Sequence, residues 1–209
     1  MTEIPLTGPN LTRRHLLRIG VLAPLAGCSL GGNAGPRKFS LRPLPAAESS
    51  TAAWSLGIEP PQALKGLDSE RIAYRAGPHE IQYYADATWI DLAPEMVRMV
   101  LVRSFQNRTK LDVGARTIGG PAPDFLLTSV LQDFQADGGT GAQVTLVASL
   151  SPAGRRRIVR SRAFEAAARS ADDRIESVAA AFDEALGRVA ADLIAWTLAA
   201  AAEEKREAS

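Results

Sequence analysis

The chain contains one cysteine, Cys28, and its surroundings decide what chemistry that thiol could do. A single cysteine excludes an intramolecular disulfide framework and any metal site built from several cysteines. The apolar run Ile19–Leu25 that precedes it is too short to span a bilayer, and three arginines lie ahead of that run. A basic segment, a short apolar segment and small residues in this order are typical of a secretory signal, so we expect residues 1–27 to be removed.

Residues 25–28, Leu-Ala-Gly-Cys, resemble the lipobox of bacterial lipoproteins. The resemblance implies that the Cys28 thiol receives a diacylglycerol and that cleavage falls directly before Cys28. It also implies that the new amine is acylated by a fatty acid such as palmitate. The alternative is a small cysteine buried on a helix, because free cysteine is commonly buried. That alternative leaves the upstream arginines unexplained, so lipidation is the favoured interpretation.

Arg13 and Arg14 bear on the route by which the protein is exported. Together with Leu16, Leu17 and Arg18 they resemble the twin-arginine signal, in which an apolar pair and a basic residue follow the paired arginines. The alternative is an ordinary basic leader for the general secretory route.

Ser29, directly after the cysteine, bears on the destination of the protein. Aspartate at this position resembles the retention signal for the inner membrane. We therefore expect the outer membrane and its periplasmic face, with the inner membrane as the alternative.

Charge and composition bound the rest of the chain. The leader carries three of the 24 Lys and Arg residues and one of the 23 Asp and Glu residues, so the remainder is nearly neutral. It lacks the excess of basic residues that nucleic-acid binding requires, and we expect no nucleic-acid partner. We interpret residues 28–36 as a lipidated flexible tether, 37–202 as one domain and 203–209 as a charged tail that frays.

The residues that could do covalent chemistry are few. His15 lies in the leader, and His79 lies in a turn, where a histidine is usually solvated. A Ser-His-Asp set would need His79, and no Gly-x-Ser-x-Gly motif accompanies it. The glycine-rich stretches lack the Lys-Ser/Thr of a phosphate loop. The sequence therefore predicts no catalytic residue, no metal site and no cofactor.

Five arginines form the one basic cluster: Arg155, Arg156, Arg157, Arg160 and Arg162. They could contact anionic head groups or an acidic partner. The alternative is the solvated face of an edge strand that its charges protect from aggregation.

Three aromatic residues form a second candidate contact surface: Tyr83, Tyr84 and Trp89. They could bind a partner or a lipid head group. The alternative is packing in the core or at its rim, which is common for aromatic residues at strand ends.

Periodicity predicts the elements of an α+β fold. Strands are expected at 38–41, 54–58, 71–75, 80–84, 125–134, 143–150 and 157–164. One helix should run to Gln106, with Asp91 as its N-cap and Pro94 in its first turn. The last helix should follow Asp172, with its apolar residues from Ile175 to Trp196 on one stripe. We expect a mixed or mostly antiparallel sheet covered by these two amphipathic helices.

The order of these pieces carries a resemblance to a known family. Lipobox, strand pair, the aromatic hairpin around Tyr83 and Tyr84, then Ala87-Thr88-Trp89 leading into the Pro94 helix, is similar to the ABC-type transport auxiliary lipoprotein component family (PqiC type). The resemblance implies a non-enzymatic accessory of a lipid transport system. Its partners would be a mammalian-cell-entry (MCE) domain protein and an ABC permease and ATPase. Phospholipid contact and a homo-oligomer are left open.

Two other functions stay under consideration. One is a structural or assembly lipoprotein that scaffolds an envelope complex without contacting lipid substrate. The other is a secreted hydrolase, which the scarcity of histidine disfavours.

Overall fold

The computed structural model describes residues 35–47, 54–114, 122–138, 141–154, 158 and 160–207. The chain divides into one unit of residues 1–33 and a second of residues 34–209. Arg13, Arg14 and Cys28 lie in the first unit, outside the described residues, and their predicted roles stay predictions. The described residues all lie in the second unit.

Nine strands and two helices follow one another along the described residues of this unit. They are β1 Arg37–Phe39, β2 Ser55–Ile58, β3 Gln62–Ala63, β4 Arg71–Gly77, β5 Glu80–Trp89, α1 Ala93–Arg108, β6 Asp112–Gly114, β7 Phe125–Asp137, β8 Gly141–Pro152, β9 Arg160–Arg169 and α2 Ile175–Glu207. The result is an α+β fold with a mixed sheet, which confirms the predicted class.

The sheet is organised around β7, its longest strand. Along one side β7 pairs in parallel with β2, then β3, then β4, while its other side pairs antiparallel with β8. β9 lies beyond β8, β5 and β1 lie beyond β4, and β6 lies beyond β2. One long strand therefore joins the aromatic hairpin β4–β5 to the antiparallel β8–β9 pair.

The two faces of the sheet differ in what covers them. Paired residues such as Leu131 and Leu146 are buried beneath the helices, and α1 and α2 also touch each other. We call this the helix-covered face. On the opposite face Val130 pairs with Val147, and Val130 is 42% exposed. We call that the open face.

A bulge explains the irregular alternation within β7. Phe125, Leu127 and Leu131 are buried at even spacing, and the register then shifts between Leu131 and Asp133. The extra residue returns Phe134 to the helix-covered face. Val130 consequently lies on the open face.

Helix α1 buries the predicted apolar residues, namely Met96, Val97, Val100, Leu101 and Phe105. Pro94 lies in its first turn, as predicted. The N-cap assignment was wrong: Leu92 occupies the cap without a side-chain hydrogen bond. Asp91 lies one residue earlier, and its Oδ1 accepts a bond of 2.7 Å from the Leu92 amide.

Helix α2 buries the predicted stripe, including Val178, Phe182, Leu186, Val189 and Leu193. By length and composition α2 could also cross a membrane, with a mean hydropathy of 1.4 in its most apolar window. Half of that window is buried inside the protein. Packing against β8 and β9 therefore accounts for the apolar side of the helix.

Both ends of α2 differ from the sequence prediction. Asp172 does not cap the helix, because its Oδ1 accepts from the Arg174 amide at 3.2 Å in a turn before Ile175. At the other end the helix continues to Glu207, and Glu204 is only 6% exposed. The tail that was predicted to fray is therefore helical up to Glu207, with Glu204 packed and residues 205–207 exposed.

Candidate functional site

The two tyrosines of the β4–β5 hairpin lie on opposite faces of the sheet. On the open face Tyr83 lies beneath the Arg71 guanidinium, whose Cζ is 3.7 Å from the ring centroid. The Tyr83 hydroxyl donates to the carbonyl of Gly66 at 3.1 Å. On the helix-covered face the Tyr84 ring packs 5.1 Å from the ring of Tyr74. The two tyrosine rings therefore lie on opposite faces of the strand, although both residues border the same depression.

Tyr84 is held in its neutral form. Burial raises the pKa of its phenol above the ordinary value, and the nearby Tyr74 and Asp173 raise it further. A phenol in this state can donate a hydrogen bond but does not act as a base at neutral pH.

Tyr83 and Arg71 form the wall of a shallow depression on the open face, which Ile81 and Thr88 also line. Arg71 pairs with Thr88 across the two strands, and the Thr88 hydroxyl is buried without a hydrogen-bond partner among the described residues. A guanidinium over an aromatic ring interacts with the face of the ring and can still donate N–H groups to an anion. The depression can therefore accept a carboxylate or a phosphate.

Trp89 is not at the surface, which corrects its prediction as a contact residue. It is 1% exposed, and its ring lies 5.1 Å from Phe182 and 5.5 Å from Phe134. A register shift within the hairpin turns Ala87 and Trp89 toward the helices. Trp89 therefore ties the end of the hairpin to the centre of the sheet and to α2.

The described arginines of the basic cluster lie on the helix-covered face of β9. Arg160 pairs with Leu150 across the strands and forms an ion pair with Glu203 of α2. The Cζ of Arg162 lies 5.2 Å from the centroid of the Phe164 ring. The intervening Ser161 points the other way and hydrogen-bonds to Ser149 at 3.0 Å.

These contacts bear on both interpretations of the cluster. Within the described residues β9 pairs only with β8, so it is an edge strand that carries charge, as the protective interpretation requires. The guanidinium of Arg162 makes no ion pair in that part of the chain and stays exposed. Arg155, Arg156 and Arg157 lie outside the described residues, and their role stays a prediction.

Groups that could do covalent chemistry do not converge in the described parts of the chain. His79 is exposed in the turn of the β4–β5 hairpin. Over the same residues no three His, Cys, Asp or Glu side chains lie close enough together to hold a metal ion.

Asp124 has the clearest structural role among the carboxylates. It accepts hydrogen bonds from the Ser55 amide at 2.7 Å and from the Ser55 hydroxyl at 3.0 Å, joining the starts of β2 and β7. These bonds lower the pKa of Asp124 below its ordinary value of 3.8, against a small opposing effect of burial.

Replacing Asp124 with alanine should lower the free energy of unfolding by about 1 kcal/mol at pH 7. Since the folded pKa is the lower one, the carboxylate stabilises the fold above the unfolded pKa. That stabilisation is lost as pH falls through the folded pKa. Urea unfolding at several pH values should show the mutant and wild-type curves converging in acid. Asp86→Ala, at another exposed aspartate, is the control; equal losses at both positions would refute the role of Asp124.

An apolar groove beside α1 was not predicted from the sequence. It lies between that helix and residues 40–43, with a volume of about 260 Å³. Ile90 and Met99, 57% and 39% exposed, line it. Met99 lies in α1 but outside its buried stripe, and an apolar residue at that position was the available signal.

Comparison with known proteins identifies the family. The model of the ABC-type transport auxiliary lipoprotein component family matches residues 39–194, and the chain belongs to this family. The match confirms the resemblance inferred from the order of the elements.

Individual relatives agree with this assignment. The crystal structure of protein XCC0632 from Xanthomonas campestris, of family DUF330, is similar with a TM-score of 0.72 and 28% identity, covering 83% of this chain and 99% of that one. A crystal structure of an uncharacterized protein has a TM-score of 0.60 at 12% identity, covering 77% of this chain and 97% of that one, and shares the fold alone.

A curated relative is longer than this chain. An uncharacterized protein of Bradyrhizobium diazoefficiens is 32% identical over 191 residues, which cover 87% of this chain and 50% of the relative. The chain therefore spans about half the length of the curated relative that it matches.

Proposed function

We propose that this chain is a periplasm-facing lipoprotein that serves as a non-enzymatic accessory of an ABC-type intermembrane lipid transport system with an MCE-domain protein. The observation that carries the proposal is the family match over residues 39–194, which covers most of the described domain. The family's name describes an auxiliary lipoprotein of ABC-type transport. The Leu-Ala-Gly-Cys sequence ending at Cys28 supplies the attachment site that such a lipoprotein needs.

Anchoring would set where the domain works. A diacylglyceryl group on Cys28 confines the domain to a membrane surface, with Ser29 favouring the outer membrane. A flexible tether of residues 28–36 spans about 15–18 Å on average. The domain would therefore stay within about one domain radius of its membrane while contacting the rest of the transport system.

Binding to partners would use surfaces that the fold leaves exposed. The Arg71–Tyr83 depression on the open face offers a guanidinium beside an aromatic ring. Arg162 offers a second exposed guanidinium on the edge strand β9. Both suit an acidic partner surface or an anionic head group, and neither requires covalent chemistry.

A genetic test separates transport from scaffolding. Deleting this gene should impair lipid transport across the envelope as much as deleting the ATPase of the same system, and the double deletion should be no worse. Sensitivity of the cells to detergents and the phospholipid content of the two membranes are the readouts. Additive defects would place the chain outside the transport system, and a collapsed envelope complex with normal transport would leave the scaffold function.

A charge swap tests whether the basic edge binds a partner. Arg160→Glu should weaken binding to the MCE protein or to anionic vesicles, but it also breaks the ion pair with Glu203. The double variant Arg160→Glu/Glu203→Arg restores the pair while moving the positive charge from β9 to α2. Because changes of exposed charges shift stability little, the melting temperatures of both variants should stay within a few degrees of the wild-type value.

The binding assay then decides between two interpretations. If Arg160 contacts the partner directly, the double variant binds as weakly as the single one, as measured by surface plasmon resonance. Full recovery in the double variant would assign Arg160 to holding α2 against β9.

A further inference from the structure

Two segments border the groove beside α1, namely residues 40–43, which follow β1, and residues 90–91, which follow β5. β1 pairs in parallel with the end of β5, and the Ile90 amide donates to the Phe39 carbonyl at 2.8 Å. The chain then continues along α1. Leu41, Ile90, Met96 and Met99 are apolar residues that line the groove, and Asp91 and Arg103 are charged ones.

Exposed apolar side chains surround this groove. Ile90 is 57% exposed, Leu92 40% and Met99 39%. Met99 and Arg103 lie four residues apart on one side of α1, and Leu92 directly precedes the helix. The buried stripe of the helix already supplies the core, so the fold does not need Leu92 and Met99 at the surface. Exposed apolar side chains grouped on a protein surface indicate a site that contacts an apolar partner or membrane.

The point where the chain enters the domain lies close to the groove. Arg37 begins β1, and Ser40 is three residues later, about 10 Å along an extended strand. Cys28 precedes Arg37 by nine residues, a span of about 15–18 Å as a flexible coil. A lipid on Cys28 would therefore hold the groove within reach of the bilayer surface.

We propose that this groove, lined by the exposed Ile90 and Met99 and followed along the chain by the exposed Leu92 between Asp91 and α1, docks on the bilayer that carries the lipid anchor. The exposed side chains enter the boundary between head groups and acyl chains, as apolar faces of interfacial helices do. The proposal rests on the proposed lipidation of Cys28, which supplies the proximity.

The charges around the groove define which bilayer it fits. Arg103 and Asp91 contribute one charge of each sign, and the Asp91 carboxylate already accepts a bond from the Leu92 amide. The attraction is therefore apolar, and docking does not depend on anionic lipid. This distinguishes the groove from the basic edge of β9.

Docking through the groove also orients the domain. α1 lies on the helix-covered side, so a bilayer in contact with Leu92 and Met99 leaves the open face directed away from the membrane. The Arg71–Tyr83 depression is then accessible to the rest of a transport system.

Site-specific fluorescence in vesicles tests the proposal on the lipidated full-length protein. Cys28 is the only cysteine, so once it is acylated a single introduced cysteine is the only thiol that takes a fluorophore. Met99→Cys places the label at the groove, and Val130→Cys places it on the open face at similar exposure, 39% against 42%. Both variants are reconstituted in phosphatidylcholine vesicles with or without a doxyl-labelled lipid, and circular dichroism confirms that each is folded.

The expected result is severalfold stronger quenching by doxyl lipid at position 99 than at position 130, with the reverse order for aqueous iodide. Adding Ile90→Ser and Leu92→Ser to the Met99→Cys variant should remove most of the doxyl quenching. Vesicles containing anionic lipid should give the same values as neutral ones.

Other outcomes overturn the proposal. Equal doxyl quenching at positions 99 and 130 would exclude apolar docking of this face. Doxyl quenching at position 99 that occurs only in vesicles with anionic lipid would exclude it as well. If the label at position 99 is protected from iodide only when another protein is added, the groove binds a protein partner instead. Labelling of the wild-type protein at Cys28 would instead contradict lipidation, and with it the proposed function.

Discussion

Replacing Trp89 with alanine should lower the free energy of unfolding by about 3–5 kcal/mol. The Trp89 ring is 1% exposed and packs between Phe134 of β7 and Phe182 of α2. Phe134 and Phe182 also contact each other, with centroids 4.8 Å apart. Removing the indole would leave a cavity where the hairpin, the central strand and the long helix meet.

Thermal unfolding followed by circular dichroism measures this effect. A domain of this size loses about 2–4 °C of melting temperature per kcal/mol. Trp54→Ala is the matched control, since Trp54 is only partly buried and its ring packs on Phe125 alone among the aromatic residues described. A melting temperature that falls as little in Trp89→Ala as in Trp54→Ala would contradict the role of Trp89 as a core anchor.

Replacing Cys28 with alanine should abolish membrane anchoring. Without the thiol no diacylglycerol can be attached, and the leader of residues 1–27 should stay uncleaved. Immunoblots of fractionated cells should show a larger precursor and no mature form in the outer membrane.

Two controls sharpen this result. Ser29→Ala leaves the thiol in place and should be processed and anchored like the wild type. Ser29→Asp should shift the mature protein toward the inner membrane if the sorting signal is read as proposed. Normal processing of Cys28→Ala would refute lipidation at this residue.

The helices and the fold class could be predicted from the sequence because their signals are local and repeated. In α2 the residues Val178, Phe182, Leu186, Val189 and Leu193 recur at helical spacing, and all are buried. In α1 the apolar residues outnumber the polar ones on one side, and Pro94 marks the first turn. Such patterns need no knowledge of distant partners.

The contact surfaces could be predicted only in part, because orientation depends on strand register. The sequence placed Tyr83, Tyr84 and Trp89 together, whereas the register shift between Tyr83 and Thr88 turns Trp89 into the core. The two tyrosines are neighbours on one strand, so side-chain alternation places them on opposite faces. Arg160 and Arg162 face the helices because they pair with Leu150 and Ala148 of β8. A shift of one residue in either pairing would reverse these directions.

The long-range pairing of the strands also could not be predicted from local sequence patterns. Nothing in residues 125–137 indicates that three separate strands share one side of β7. The helical ending of the chain was missed because Glu203 and Glu204 suggest solvent. In the structure one pairs with Arg160 and the other is buried.

We propose that the chain is a lipid-anchored accessory that binds an ABC-type transport system. Mass spectrometry of the tagged wild-type protein isolated from native membranes tests this proposal. We expect a chain that begins at an acylated Cys28, with the MCE protein, permease and ATPase of one system recovered alongside it. A chain with an unmodified Cys28, or one recovered without any transport component after mild cross-linking, would contradict it.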